Sequence, residues 1–208
     1  MANSLYIARM DIAHDHEDLF NEVYNSEHIP AFSNVPGVKR IKRYATQNRA
    51  EPKYLAVYEL ENSDVLNSDA WLTAREAGRW PSAVRPHTMN RQHAVLEWVG
   101  GTEELLLTTK YFHLAMMDVE PDKEQLFNDT YETEHIPLLL EIPGVESCVR
   151  YKTSSECYPS YVSVYEITDA ALPVSKEWWV AADTGRWKPD VRPYTYNKRL
   201  PVYELLDT

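Results

Sequence analysis

The chain has 208 residues, of which 44% are hydrophobic and 25% charged, and its net charge is −11 at pH 7. This composition is ordinary for a globular protein of one large or two small domains. The acidic balance, without a dense basic patch, argues against a nucleic-acid partner. No apolar stretch approaches the roughly 20 residues that span a bilayer, so we expect no membrane segment.

Two further features of the composition bear on location and ligand. The two cysteines form no CxxC pair, and no basic segment followed by an apolar run opens the chain. We therefore expect a reduced, cytoplasmic setting and no signal peptide. Fourteen Tyr and six Trp against four Phe suit the walls of a cleft for an aromatic ligand. A small core that needs large side chains would explain them equally well.

The first half of the chain predicts the element order β-α-β-β-α-β. Its predicted elements are a strand at 5–10, a helix at about 16–27, strands at 38–44 and 54–60, a helix at 68–78 and a strand at about 88–98. Because proline has no N–H, we expect Pro30 to kink the first helix or make it restart. Ser68 is the expected N-cap of the second helix, and Gly78 the residue after its end.

The second half repeats the first. When the chain is shifted by 107 residues, roughly 40% of the aligned positions are identical, nearly without a gap. EHIP occurs at 27–30 and 134–137, PGV at 36–38 and 143–145, and GRW at 78–80 and 185–187. A period near 100 residues indicates a duplicated domain. We predict two domains, 1–101 and 102–208, that meet at the flexible step Gly100-Gly101-Thr102.

The predicted element order is that of a ferredoxin-like fold, whose sheet carries helices on one face only. The fold class is therefore predicted as α+β, with two tandem ferredoxin-like repeats. We expect the free faces of the two sheets to pack together within one chain, as a pseudo-dimeric α/β barrel with the helices outside. A further homodimer of such chains is left open.

Several motifs together carry a family resemblance. Both halves contain a helix running into EHIP, a PGV turn, Arg-Tyr at the end of the next strand and Tyr-Glu in the third strand. In these features the chain resembles the dimeric α/β-barrel superfamily, and its EthD-like and prodiginine-pathway-like members are closest in appearance. The resemblance implies a cleft between sheet and helices that holds a small, often aromatic molecule. The superfamily includes monooxygenases, cyclases, isomerases, lyases and haem-dependent members, so the fold does not choose the reaction.

His28 and His135 are the leading catalytic candidates. Each follows a tyrosine, Tyr24 or Tyr131, by four residues, so the two side chains share a helical face that we expect to look at the sheet. A partly buried histidine beside a tyrosine hydroxyl can move protons near neutral pH. The alternative is that the histidine only holds a broken helix end, and its occurrence in both halves favours that structural role somewhat.

Arginines in the predicted strands need partners, because burying an unpaired charge is expensive. We expect structural ion pairs between Arg43 and Glu59 and between Arg150 and Glu166.

The remaining candidates would bind the substrate or complete one of the two sites. Arg85 and Arg192 could clamp a ligand carboxylate or phenolate. The aromatic candidates for substrate binding are Tyr58, Tyr161, Trp80 and Trp187. His113, inside the first strand of the second half, with Tyr161 and Tyr165, inclines the choice of active cleft slightly towards the second half.

The sequence gives little support for a metal or cofactor site. The ligand-rich segment His14-Asp15-His16 lies where a strand passes into a helix, and acidic residues are expected at a helix start. The chain has no HExxH, no Gly-rich phosphate loop, no GxSxG and no dinucleotide-binding fingerprint. We therefore expect no metal and no cofactor.

These expectations combine in one hypothesis for the function. The chain is predicted to be a cofactor-independent lyase that acts on a small phenolic or aromatic catabolite by His/Tyr acid–base chemistry, with loss of CO2 or a small aldehyde. The histidine would move the proton, and a tyrosine (Tyr24, Tyr131 or Tyr165) would orient it. The alternatives are a polyketide-type cyclase or isomerase of the same fold, or a non-catalytic protein that binds an aromatic ligand.

Overall fold

A computed structural model describes residues 4–206 of the chain. They form two compact units, residues 4–96 with Leu206 and residues Glu97–Leu205. Residues 1–3 and 207–208, which the predicted domains include, lie outside the described residues, and the predicted boundary after residue 101 stays a prediction. Within the described range, no helix has the length and apolar character needed to cross a bilayer.

The first unit is an antiparallel sheet with helices. Its elements are β1 (Ser4–Ile12), α1 (Glu17–Val23), α2 (Ile29–Ser33), β2 (Val38–Ala45), β3 (Tyr54–Leu60), α3 (Asp69–Arg75) and most of β4 (Thr88–Gly101). β1 pairs with both β3 and β4, and β2 pairs with the other edge of β3. The predicted α+β class is confirmed, and the predicted element order is found with the first helix divided into α1 and α2.

The second unit follows the same order. Its elements are β5 (Tyr111–Val119), α4 (Glu124–Thr130), α5 (Ile136–Leu140), β6 (Val145–Lys152), β7 (Tyr161–Ile167), α6 (Lys176–Ala182), β8 (Thr195–Arg199) and β9 (Val202–Leu205), with the last residues of β4. β5 pairs with β7, β8 and β9, and β6 pairs with β7. Pro201 separates β8 from β9, because proline has no N–H to give to the ladder. The predicted packing of the two sheets as a barrel stays a prediction.

The predicted restart at Pro30 is wrong, because the backbone is helical on both sides of the proline. One π-helical turn (Tyr24–His28) joins α1 to α2, and the backbone stays helical through the proline. The N–H of Ile29 bonds the carbonyl of Tyr24, five residues back. The wider turn moves the backbone hydrogen bonds to carbonyls five residues back just before the proline. The N–H that proline lacks therefore does not interrupt the helix. A second π turn, Tyr131–His135, does the same before Pro137.

The predicted N-cap Ser68 is confirmed, and Ser175 caps the matching helix α6, whereas α3 ends at Arg75, three residues before Gly78. The hydroxyl of Ser68 accepts a hydrogen bond from the N–H of Trp71, and that of Ser175 accepts one from Trp178. This cap fixes the start of α3 and of α6, and each helix then packs its tryptophan into the core of its own unit.

The predicted ion pairs of Arg43 with Glu59 and of Arg150 with Glu166 are wrong. Arg43 pairs across the ladder with Ala56, three residues before Glu59, and alternation places Glu59 on the opposite face of the sheet. The Arg43 guanidinium instead donates to the side-chain oxygens of Asn21 and Asn25, at 2.7 and 2.5 Å.

In the second unit, Arg150 and Glu166 each have other partners than predicted. Arg150 donates to Glu132 at 2.8 Å, while Glu166 accepts the hydroxyl of Ser147 and the backbone N–H groups of a neighbouring loop. A buried arginine thus finds oxygen partners on the helix above it, and the strand glutamate finds its own on the other face.

Candidate active site

Each unit contains a cleft between its sheet and its helices. The first has a volume of about 520 Å³, and its lining includes Tyr24, His28, Tyr58, Trp71, Trp80 and Arg85. The second has a volume of about 370 Å³, and its lining includes the matched residues Tyr131, His135, Tyr165, Trp178, Trp187 and Arg192. Both volumes fall in the range of small-molecule pockets.

Of the residues predicted for the site, Tyr161 lies outside both clefts. Its hydroxyl donates to the carboxylate of Glu124 and accepts a hydrogen bond from Asn128 at 3.2 Å. Its side chain therefore belongs to the polar network between β7 and α4, and the remaining predicted site residues line one of the clefts.

His28 is buried, with 6% of its surface exposed, and its ring stacks on Trp80 with centroids 4.3 Å apart. The ring of Tyr24 lies edge-on at 4.8 Å. Among the residues described, no polar atom lies within hydrogen-bond distance of its Nδ1. Burial first, and then the Arg85 and Arg43 guanidinium groups, lower the pKa of His28 to about 3. The imidazole is therefore neutral at physiological pH.

His135 repeats this environment in the second cleft. Its ring stacks on Trp187 at 4.3 Å, and its Nδ1 also has no hydrogen-bond partner in the described part of the chain. Burial, followed by the charges of Arg192 and Arg150, lowers the pKa of His135 to about 3.

The glutamate of EHIP positions the tryptophan on which the histidine stacks. Glu27 accepts hydrogen bonds from the guanidinium of Arg79 and from its backbone N–H, the latter at 2.7 Å. Gly78 precedes this contact with φ of +62°, and a Cβ there would collide with the Glu27 carboxylate. Trp80 follows directly. The matched residues of the second unit are Glu134, Gly185, Arg186 and Trp187.

The cleft tyrosines differ between the units. The hydroxyls of Tyr24 and Tyr58 share a hydrogen bond of 2.7 Å, and burial raises the pKa of both. Tyr131 instead directs its hydroxyl at the sulfur of Met117, 4.0 Å away, and burial raises its pKa to about 12. All three phenols stay protonated at neutral pH. One hydroxyl of the Tyr24–Tyr58 pair donates to the other, so the pair keeps one O–H for a ligand.

The arginines predicted to clamp a ligand already have acidic partners. Arg85 donates from both terminal nitrogens to the carboxylate of Glu76, at 2.9 Å each. Arg192 donates to Asp183, which also pairs with Lys188 at 2.9 Å. Each guanidinium lines its cleft, but its charge is largely balanced before any ligand arrives.

A further hydrogen-bonded pair occurs in the first cleft. The hydroxyl of Tyr6 and Nδ1 of His93 are 2.6 Å apart. In the second unit, the positions that match Tyr6 and His93 hold His113 and Leu200. His113 lies close to the carbonyl of Pro201, with Nδ1 at 3.2 Å from the oxygen, and burial lowers its pKa to about 4. The first cleft thus has a Tyr–His pair where the second has a histidine bonded to backbone.

The sequence interpretation missed Tyr6, His93, Arg91 and Lys198 as cleft residues. Strand alternation could have found His93, because it lies opposite Ala8 and so on the same face as Tyr6. No cluster of three or more potential metal ligands occurs in residues 4–206.

Comparison with known proteins relates the chain to others through its structure. No family model and no curated protein matches it. A Fusobacterium nucleatum protein provisionally described as a monooxygenase is similar, with a TM-score of 0.66 and 11% identity over 99% of this chain and 93% of that chain. A protein provisionally described as a chlorite dismutase gives 0.63 and 18% identity, over 100% and 96%. An anthrone oxidase-like protein gives 0.63 and 11%, over 99% and 92%.

Identities this low show a shared fold and leave the reaction open. Membership of the α/β-barrel superfamily stays a prediction. The neighbours are described as a monooxygenase, a chlorite dismutase and an anthrone oxidase-like protein, and the closer resemblance to EthD-like members also stays a prediction.

Proposed function

We propose that the chain is a cofactor-independent enzyme acting on a small phenolic compound, and that a cleft histidine accepts the phenol proton. The observation that carries this proposal is the buried Nδ1 of His28, which has no partner among the described residues and belongs to a ring lining an aromatic cleft. Leaving such an atom unsatisfied costs about 1–3 kcal/mol. His28 lines the cleft, so a substrate hydroxyl that displaces the packing around the ring would supply the missing partner.

The low pKa of the free histidine is compatible with this role. Its imidazolium is disfavoured because it is buried near Arg85 and Arg43 without a compensating anion. A phenolate formed by the proton transfer is that anion, and the resulting ion pair offsets the cost of burying the cation. Next to a phenolate the pKa of His28 rises and that of the phenol falls, which lowers the cost of the transfer.

The reaction we propose is lyase chemistry. Once the phenol has lost its proton, negative charge spreads onto the ring carbon that bears the leaving group. In decarboxylation, the C–C electron pair stays on that carbon, which takes up a proton as CO2 leaves. In aldehyde loss, the ring carbon takes up a proton, the side-chain hydroxyl gives up its own, and the C–C pair again stays on the ring as the aldehyde leaves. Neither route needs an oxidant, and the Tyr24–Tyr58 pair would donate to the reacting oxygen.

We place the reaction in the first cleft, although the sequence inclined slightly to the second. The Tyr24–Tyr58 and Tyr6–His93 pairs give the first cleft two connected hydroxyl networks. In the second cleft, Tyr131 bonds to the sulfur atom of Met117, and His113 bonds to the backbone carbonyl of Pro201. Both networks line the same cleft as His28, so a ligand bound there would connect them to the imidazole.

The test is turnover by the purified chain under nitrogen, without added metal, flavin or haem. The probes are 4-hydroxybenzoate and 4-hydroxybenzyl alcohol, and the products are phenol with CO2 or with formaldehyde. We expect the His28→Gln protein to lose about 100-fold or more in rate, and the His135→Gln protein to serve as the matched control. Unchanged rates in H28Q and in the double variant, with both proteins folded, would refute the role of His28.

A second candidate is oxidation of the same substrates, favoured by neighbours described as a monooxygenase and as anthrone oxidase-like. It predicts no product under nitrogen and one O2 consumed per turnover in air. Binding of both probes without any product in either gas would instead indicate a non-catalytic ligand-binding protein.

A further inference from the structure

We propose that Arg91 and Lys198 are the anion anchors of the two clefts, and that the ligands are therefore aromatic carboxylates. The inference rests on the proposed function, since it names the class of substrate that the clefts take. The sequence predicted two other residues, Arg85 and Arg192, to clamp a ligand.

Each cation sits on a β-bulge beside its cleft. In the first unit, Arg9 pairs with Gln92 and Asp11 with Met89, so two residues of β4, Asn90 and Arg91, lie opposite one residue of β1. The same two-against-one mismatch occurs between β5 and β8, where the extra residues are Asn197 and Lys198. Bulges are common next to active sites because they change the direction in which a side chain points.

Both bulges are held by the same side-chain contact. Asn90 has φ of 49° and donates from its side-chain amide to Asp11 at 2.7 Å. Asn197 has φ of 51° and donates to Asp118 at 3.0 Å. A left-handed conformation is unusual for a residue other than glycine, and asparagine tolerates it best. A bulge with an unfavourable backbone conformation, held by the same hydrogen bond in both units, is expected where it directs a functional side chain.

The same aspartates fix the bulge to the neighbouring loop. Asp11 also accepts the backbone N–H of Lys53, and Asp118 that of Ser160, both at 2.7 Å. Their carboxylates are thus committed to the backbone around the bulge. Neither aspartate therefore forms an ion pair with the neighbouring cation, which is Arg91 in the first unit and Lys198 in the second.

Neither cation is balanced within its unit. In the described part of the chain, no ion pair or side-chain hydrogen bond of Arg91 or Lys198 is found. Both residues line their clefts. Arg85, by contrast, donates hydrogen bonds from both terminal nitrogens to Glu76. Burial, and then the charge of Arg192, lower the pKa of Lys198, and an anion bound between them would relieve both effects.

The positions of the groups indicate how a ligand would lie. The cleft walls are aromatic rings and the histidines are buried, whereas Arg91 and Lys198 are exposed. An aromatic acid would place its ring against the tryptophans and its carboxylate at the exposed cation. A guanidinium can hold a carboxylate with two hydrogen bonds, and an ammonium holds it as a point charge.

The experiment compares binding of 4-methoxybenzoate with that of the neutral 4-methoxybenzamide by calorimetry, because neither probe has a phenol proton and the proposed reaction cannot turn them over. We expect the wild-type protein to bind the acid about tenfold more tightly than the amide. Arg91→Gln should remove this preference at one site, Lys198→Gln at the other, and the double variant at both. Arg91→Lys should retain most of it. The charge-matched control is Arg49→Gln, because Arg49 is exposed and lines neither cleft.

Three results would overturn the anchor: equal wild-type affinity for acid and amide, an acid preference that survives in a folded R91Q/K198Q protein, or no binding of the acid. The outcome is separable from the proposed reaction, since a protein can bind the acid through Arg91 while H28Q turns over normally, and the reverse is equally observable.

Discussion

His28 stacks face to face on Trp80, with ring centroids 4.3 Å apart and an angle of 28° between the rings. Trp80 is itself buried, so it removes one face of the imidazole from water. Because burial is the largest cause of the low pKa of His28, the tryptophan contributes to keeping the histidine neutral. The position of Trp80 depends in turn on the contact between Arg79 and Glu27.

Replacing Trp80 with leucine should raise the pKa of His28 from about 3 towards its ordinary value near 6.5. The smaller side chain lets water reach the ring, which stabilises the imidazolium. The shift can be followed by NMR titration of the histidine ring carbons. Trp187→Leu is the matched control and should move His135 instead. An unchanged His28 resonance through pH 6.5 in folded W80L would show that burial by Trp80 is not the cause.

Three buried neutral histidines make the fold sensitive to acid. Their pKa values are lowered to about 3 for His28 and His135 and to about 4 for His113, whereas an unfolded chain titrates near 6.5. Between these limits the unfolded state binds more protons, so stability is complete above pH 6.5 and is lost as the pH falls. At pH 5 each histidine should cost about 2 kcal/mol.

Urea unfolding at pH 7 and pH 5 measures this loss. Carboxylates with lowered pKa, such as Glu27, titrate below this interval, so pH 5 isolates the histidines. The double variant His28→Gln/His135→Gln should lose about 4 kcal/mol less between the two pH values than the wild type. Equal losses in both proteins would mean that the two histidines are protonated in the folded state.

The repeated motifs contain several of the residues that line the clefts, whereas the cleft itself was expected from the family resemblance. EHIP and GRW each occur twice, and the structure brings Glu27 to Arg79 and His28 to Trp80, so the two motifs form one contact set. Periodicity found the strands and the Ser68 cap because these depend on local chemistry. Pro30 was misjudged since a π turn absorbs it, and single-sequence patterns do not distinguish a π turn from a break.

The partners of charged groups were not predictable in the same way. Arg43 and Glu59 lie on neighbouring strands, but a one-residue register difference decides which face each side chain takes. Arg91 was overlooked for a related reason: a bulge adds a residue to β4 and reverses the alternation on which the expectation would rest. Register and bulges arise from tertiary pairing, which a single chain does not display.

The different partners of Arg43 and Arg150 allow a reciprocal test. Arg43 is held by the neutral Asn25, whereas Arg150 is held by the charged Glu132. Asn25→Asp should stabilise the protein by about 0.5–1 kcal/mol, a modest gain because the position is partly exposed. Glu132→Gln should destabilise it by a similar amount. Urea unfolding at pH 7 checks both, and a destabilising N25D would show that the asparagine amide donates a bond that the carboxylate cannot.

Gly78→Ala should destabilise the first unit by about 1–2 kcal/mol. The φ of +62° is unfavourable for any residue with a Cβ, and that Cβ would meet the Glu27 carboxylate. A double-mutant cycle with Glu27→Ala separates the two causes. If the collision contributes, G78A should cost less in the E27A background, whereas strictly additive effects would leave only the backbone strain.

The pH dependence of kcat/KM should reveal a base that is already neutral at pH 5. A proton acceptor works only when unprotonated, so activity is present above its pKa and lost below it. With the pKa of His28 near 3, the acidic limb should lie below about pH 4 rather than near pH 6.5. The Trp80→Leu protein should move this limb upwards by the same amount as its NMR titration. Circular dichroism at each pH confirms that the protein is folded, since acid also unfolds it. A wild-type limb at pH 6–7 that H28Q retains would assign the proton transfer to another group.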